Sequence, residues 1–236
     1  MILVSGRRKT VGLKVTDRDG LVITVPKGLD DGRITEMVGK KSNWIMRKLQ
    51  EVSEVRNLVA ARASLRPESF DLPALAESWR VAYRDTGRNS VTARTEQPGR
   101  IVVTGGVSDP ELCQGVLRRW LALRAKEAMG ARLDLLAKET GIRFQKFIIR
   151  SQRTRWGSCS TAGVISLNCA LLFLPPEFVR YVMIHELCHM REPNHSPRFW
   201  ALVKQYEPGS EVIRRSMRDA WKQIPVWANS LRPVGD

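Results

Sequence analysis

Residues 175–200, PPEFVRYVMIHELCHMREPNHSPRFW, spell a helix, a forced bend and a second helix. Pro175-Pro176 opens the first helix, because proline's missing N–H is not needed in a first turn. Phe178, Val179, Tyr181, Val182, Met183, Ile184 and Leu187 leave that helix apolar on almost every side, the pattern of a buried helix. Pro193 disfavours helical geometry at Glu192 and predicts the helix end there. After Asn194 and His195, Ser196-Pro197 reads as the N-cap and first-turn proline of the next helix. Phe199, Trp200, Leu202, Val203 and Tyr206 give this second helix an apolar face.

Within that window, residues 185–189 read HELCH. Side chains four apart on a helix share a face, with Cβ atoms about 6 Å apart. His185 and His189 can therefore bind one tetrahedral ion through bonds near ~2.0 Å. Glu186 sits about 100° further round the helix, beside the ion, where its carboxylate can act as general base toward a bound water. A catalytic zinc needs a third protein ligand and an open position. His195, at the bend, is the candidate. The chain has 3 histidines, and all of them fall between 185 and 195. A glutamate and two imidazoles in a buried helix need compensation, and a bound cation supplies it. The expected cofactor is Zn2+, and the expected chemistry is metal-assisted hydrolysis with Glu186 as base. Cys188, at an inner position of the motif, reads as a small buried hydrophobe.

Working outward, Val11, Leu13 and Val15, then Leu21, Ile23 and Val25, alternate with polar residues around Asp19-Gly20, which predicts a hairpin. Helical spacing follows over 31–56, then a mixed connection over 57–78 broken by Pro67 and Pro73. Short strands are expected at 79–83, 89–95 and 100–104. Asp109-Pro110 starts a long helix that Gly141 stops. Residues 144–151 and 164–168 (VISLN) read as strands, with Gly157 and Gly163 in their connection. These elements predict an α+β chain: an N-terminal β-rich subdomain with helices over 1–108, then a catalytic domain over 109–236. There is no internal repeat and no low-complexity segment.

The net charge of +15 favours anionic partners such as nucleic acid or acidic substrates. The tightest basic groups, Arg7-Arg8-Lys9, Arg118-Arg119, Arg150 to Arg155 and Arg214-Arg215, are too short for a basic tail. No apolar run is long enough to span a membrane. MILVSGRRKT carries no secretory pattern, so a cytoplasmic protein is expected. Cys113, Cys159, Cys169 and Cys188 show no paired spacing and are expected to be free thiols.

RTRWGSCS, VISLN, PPEFVRYVMIHELCH and NHSPRFW together resemble the YgjP-like metallopeptidases, relatives of the SprT and Spartan zincins. The resemblance is strongest over about 145–206. It implies a zincin-like catalytic domain with the HExxH helix packed on a small sheet, zinc on His185, His189 and His195, and Glu186 as base. Glu192 stands where metzincins carry glycine, and no Met-turn is evident, which fits the YgjP-like and SprT-like loop. It further implies that VISLN is the sheet edge that pairs with an extended peptide or protein substrate, with Arg153, Arg155 or Trp156 bordering the cleft. Asn168 could reach that cleft or hold a turn. Tyr206 could stabilise an oxyanion, although its spacing favours the core, and Cys159 is a weak candidate for a fourth ligand. Two other readings remain. A phosphohydrolase acting on nucleotides would use the arginines, though no Gly-rich phosphate loop is present. A DNA-associated protease would use the basic surface for recruitment.

Overall fold

Alternating apolar residues and a stretch of helical spacing build the first of two units, 1–63, and the remainder of the chain, 64–236, builds the second. The structure, a computed structural model, describes residues 2–5, 11–16, 20–63, 66–152 and 154–229. In the first unit β2 (Gly12–Thr16) pairs antiparallel with β3 (Gly20–Pro26), as the alternation predicts. Asp19 of the expected turn lies outside the described residues. On the other side of β3, β1 (Ile2–Ser5) runs parallel. Ile23, Val25 and Ile34 form the small core of this unit.

The single helix expected over 31–56 is two helices. α1 (Asp31–Lys40) is capped by Asp30, whose carboxylate accepts from Gly32 N at 3.0 Å. α2 (Ser42–Ala63) starts after a break at Lys41, φ −104 and ψ 6. Gly39, Ser42 and Asn43 around the break are weak helix formers, which lets the chain change direction without a proline. α2 continues through residues 57–63, read from the sequence as connection.

In the second unit, β4 (Ser69–Leu72), β5 (Glu77–Asp85), β6 (Val91–Gln97) and β7 (Arg100–Gly105) form a sheet of order β4-β5-β7-β6. α3 (Pro110–Thr140) begins where expected, with the Asp109 side chain accepting from Glu111 N and Leu112 N. Gly141, at φ 64, closes it with the left-handed conformation that glycine adopts without strain. Trp120 of α3 meets Trp79 at 4.7 Å and Phe70 at 5.9 Å between ring centroids. Phe70 also meets Trp227 at 5.0 Å. One hydrophobic core thus runs from Phe70 to Ala228. This core includes residues on both sides of 108, and the two compact units divide between 63 and 64. Alternation in strands 79–104 shows that one face is buried but not against which partner.

A three-stranded sheet carries the segment ahead of the HELCH helix. β8 (Lys146–Arg150), β9 (Gly157–Cys159) and β10 (Val164–Asn168) take the order β8-β10-β9. β10 is parallel to β8 and antiparallel to β9, with Leu167 opposite Gly157 and Ile165 opposite Cys159. This corrects the expectation that VISLN is the sheet edge: β10 is central and paired on both sides, and β9 is the edge. Three residues, Gly157-Ser158-Cys159, are too few and too small for a strand pattern to show in sequence.

Buried residues Cys169–Phe173 form a short 3-10 segment leading into α4 (Pro176–Cys188), which neighbours α3, β9 and β10. α5 (Pro197–Tyr206) and the unforeseen α6 (Ser210–Ser216) follow. Among the described residues no helix is long and apolar enough to cross a membrane.

Candidate metal centre

α4 is buried as its composition predicts, with Met183, Ile184 and Leu187 each 0% exposed. His185 lies in its last turn and His189 caps its C-terminus. The chain then bends through Pro193 and Asn194, with Ser196 N donating to Asn194 O at 2.7 Å. Ser196 caps α5, its hydroxyl accepting from Phe199 N at 3.2 Å. The bend brings His195 back: one nitrogen from each of His185, His189 and His195 lies within 4.8 Å of the others.

The detailed geometry fits a shared ion. Nε2 of His195 is 3.1 Å from Nε2 of His185. Two bonds of ~2.0–2.1 Å at a tetrahedral angle would separate such nitrogens by about 3.3 Å. His189 Nδ1 lies 3.2 Å from the Glu192 carbonyl. A carbonyl only accepts, so Nδ1 carries the proton and Nε2 keeps its lone pair for a ligand. Rings hold the imidazoles in place. Phe199, 0% exposed, lies on His189 at 4.4 Å and 24°, and Trp200 lies on His195 at 5.4 Å and 28°.

Electrostatics point the same way. Burial, then the neighbouring His189, His195 and Arg214, hold the His185 imidazolium down to about 3. Burial also lowers His189. Both rings are thus neutral donors at neutral pH. Burial pushes the Glu186 carboxyl up to about 8. Among the described residues, the buried side-chain polar atoms lacking a hydrogen-bond partner are His185 Nδ1 and Glu186 Oε2. Buried polar atoms are otherwise almost always satisfied. The donor set fits a metal, and a cation held there would favour the ionised form of the buried Glu186 carboxyl.

The family model of the YgjP-like metallopeptidase domain matches residues 9–220. The chain belongs to the YgjP-like metallopeptidase family. A comparison with curated proteins finds no match. Membership makes the chain a metallopeptidase-type hydrolase whose substrate class is peptide or protein, and the match takes in the whole histidine cluster.

Other residues of this YgjP-like chain are distributed unevenly around the centre. Arg153 lies outside the described residues. Arg155 is exposed. Trp156 stacks on Trp221, with centroids 3.7 Å apart and planes at 14°. Asn168 is 2% exposed, and its side chain is committed to backbone. It donates to Gln152 O at 2.6 Å and Arg155 O at 2.9 Å, and accepts from Ala170 N at 3.0 Å. It holds Gln152 and Arg155 against the start of the 3-10 segment, the turn-holding option of the two. Tyr206 donates to Thr140 O at 3.0 Å and so ties α5 to the end of α3. Cys188 is 0% exposed and packs in the core. Cys159 lies 3.4 Å from Met190 Sδ, outside the histidine group.

Two side chains near the centre have no sequence signal that ties them to it. Arg214 of α6 lies over the Trp200 ring at 4.6 Å, and Trp221 backs Trp156. Both come from segments with no motif, and only tertiary packing brings them here.

Proposed function

We propose that the chain is a zinc peptidase with a zincin-like catalytic domain, in which His185, His189 and His195 hold the ion and Glu186 is the general base. The observation that carries this reading is the convergence of three histidine nitrogens within 4.8 Å, with a buried carboxylate oxygen without a partner on the residue that follows His185. A zinc ion held there supplies Lewis acidity, which polarises a substrate carbonyl and acidifies water near neutral pH. Glu192, through its carbonyl, keeps His189 in the tautomer that donates from Nε2. Glu186 takes a proton from the attacking water and returns it to the amine nitrogen as the C–N bond breaks.

β9 is the edge on which an extended peptide would lie. Asn168 N donates to Trp156 O at 2.9 Å and Ser160 N to Val164 O at 3.0 Å. By antiparallel alternation, Ser158 faces β10 while Gly157 and Cys159 turn their backbone groups to the open edge. A peptide adds to such an edge through main-chain bonds. Exposed Arg155 is two residues before this edge and is positioned to meet its side chains or carboxylates.

Metal analysis and turnover on two variants test this reading. His195→Ala is expected to bind zinc more weakly by on the order of 10–100-fold or more. Glu186→Gln is expected to keep zinc and to lose peptide hydrolysis by roughly 10²–10⁴-fold. Unchanged zinc content in His195→Ala, or full turnover by Glu186→Gln, would remove the corresponding role.

A further inference from the structure

Glycine at 157 has no backbone explanation. Its φ is not among the positive values found at Gly20, Gly141 or Gly163, so its conformation accepts an ordinary residue. Its surroundings do not. A Cβ built there would lie 2.5 Å from Glu186 Oε1, 2.8 Å from Cγ and 2.9 Å from Cδ. Non-bonded carbon atoms rest about 3.5–4.0 Å apart, so three atoms of one side chain would be overlapped together. Turning the carboxyl about its last bond moves the oxygens and leaves Cγ and Cδ in collision.

Both partners sit among buried neighbours, so the overlap is relieved only by a change of the Glu186 rotamer. Glu186 is 5% exposed on a helix whose neighbours Ile184 and Leu187 are 0% exposed. Gly157 is fixed in β9 opposite Leu167, itself 1% exposed. The residue before it is held by the bond from Asn168 N to Trp156 O at 2.9 Å and by the Trp156–Trp221 stack.

We propose that Gly157 is a positioning residue for Glu186: its missing side chain forms the recess that the carboxyl stem occupies, and so selects the rotamer in which Glu186 works. This rests on Glu186 being the general base. One strand then does two things, presenting its backbone to the open edge and leaving its face clear for the base. Any side chain at 157 would turn the carboxylate out of that recess while leaving the three histidines where they are.

A double-mutant cycle read by thermal unfolding tests the contact whatever the role of Glu186. Gly157→Ala is expected to lower Tm by several degrees in the wild-type background, and to leave it unchanged or raised beside Glu186→Ala, where the stem is gone. An equal loss in both backgrounds overturns the proposal. If Gly157→Ala alone does not fold, folding of the Gly157→Ala/Glu186→Ala pair supports it, and failure of the pair overturns it. On the zinc-loaded enzyme acting on a casein-derived peptide pool, Gly157→Ala is expected to keep its zinc and its KM while kcat falls toward the Glu186→Gln level. A folded Gly157→Ala enzyme with wild-type kcat overturns the positioning role. A wild type that cleaves nothing would count against Glu186 as base, and the unfolding cycle would still decide the contact.

Discussion

Glu186 is buried and His185 half-buried, one after the other in a helix whose surroundings disfavour charge on both. For metal-free protein this has a signed consequence. The folded carboxyl of Glu186 titrates near 8 against 4.5 when exposed, so its contribution is present below 4.5 and is lost as pH rises toward 8. His185 titrates near 3 against 6.5, so its contribution is present above 6.5 and is lost as pH falls toward 3. Between 4.5 and 6.5 the two slopes oppose one another; above 6.5 the Glu186 slope stands alone of this pair. Metal-free wild type is therefore expected to lose on the order of 1 kcal/mol between neutral and mildly alkaline pH. In Glu186→Gln that loss should vanish, and chemical denaturation across the pH range reads it. Asn168 makes a separate residue-scale prediction. Asn168→Ala strands two carbonyls and one amide, and is expected to cost about 2–4 kcal/mol by urea unfolding. The histidine cluster was legible because helical spacing and a proline-forced bend are local. The Gly157–Glu186 approach and the Arg214–Trp200 stack were not, because they join residues 29 and 14 positions apart through packing alone.

At the scale of elements, the bend between α4 and α5 is the device that assembles the centre. Ser196 fixes where α5 starts, and α5 places Phe199 on His189 and Trp200 on His195. Ser196→Ala is expected to cost about 1 kcal/mol of stability. It should also weaken zinc binding several-fold, as calorimetric titration would show; unchanged zinc affinity would mean that the cap does not govern His195. Start and stop signals such as Asp109-Pro110, Gly141, Pro175-Pro176 and Ser196-Pro197 placed these helices well, because capping and proline chemistry act within a turn. β9 and the break at Lys41 escaped notice, the first for its three residues and the second for want of a proline. β10 reads as a strand, but a buried five-residue segment reports burial and not sheet order.

For the whole molecule, the surplus of arginine does more than colour the surface. Arg180 pairs with Glu139 and Glu207, and Arg124 with Glu77. Arg118 donates to Trp227 O at 2.8 Å and Arg132 to Ala74 O at 3.0 Å. Part of the +15 charge thus ties distant segments of the second unit together. An ion bound only by the folded chain stabilises that unit by mass action, about 4 kcal/mol when free zinc is a thousandfold above its dissociation constant. Zinc is expected to raise Tm and a chelator to reverse the rise, with no effect of either on His185→Ala/His189→Ala. The most direct test of the central claim is mass spectrometry of a mixed peptide and nucleotide pool incubated with zinc-loaded wild type and, in parallel, Glu186→Gln. New peptide termini are expected from wild type alone. Phosphate release without peptide cleavage, or equal cleavage by both proteins, would contradict it.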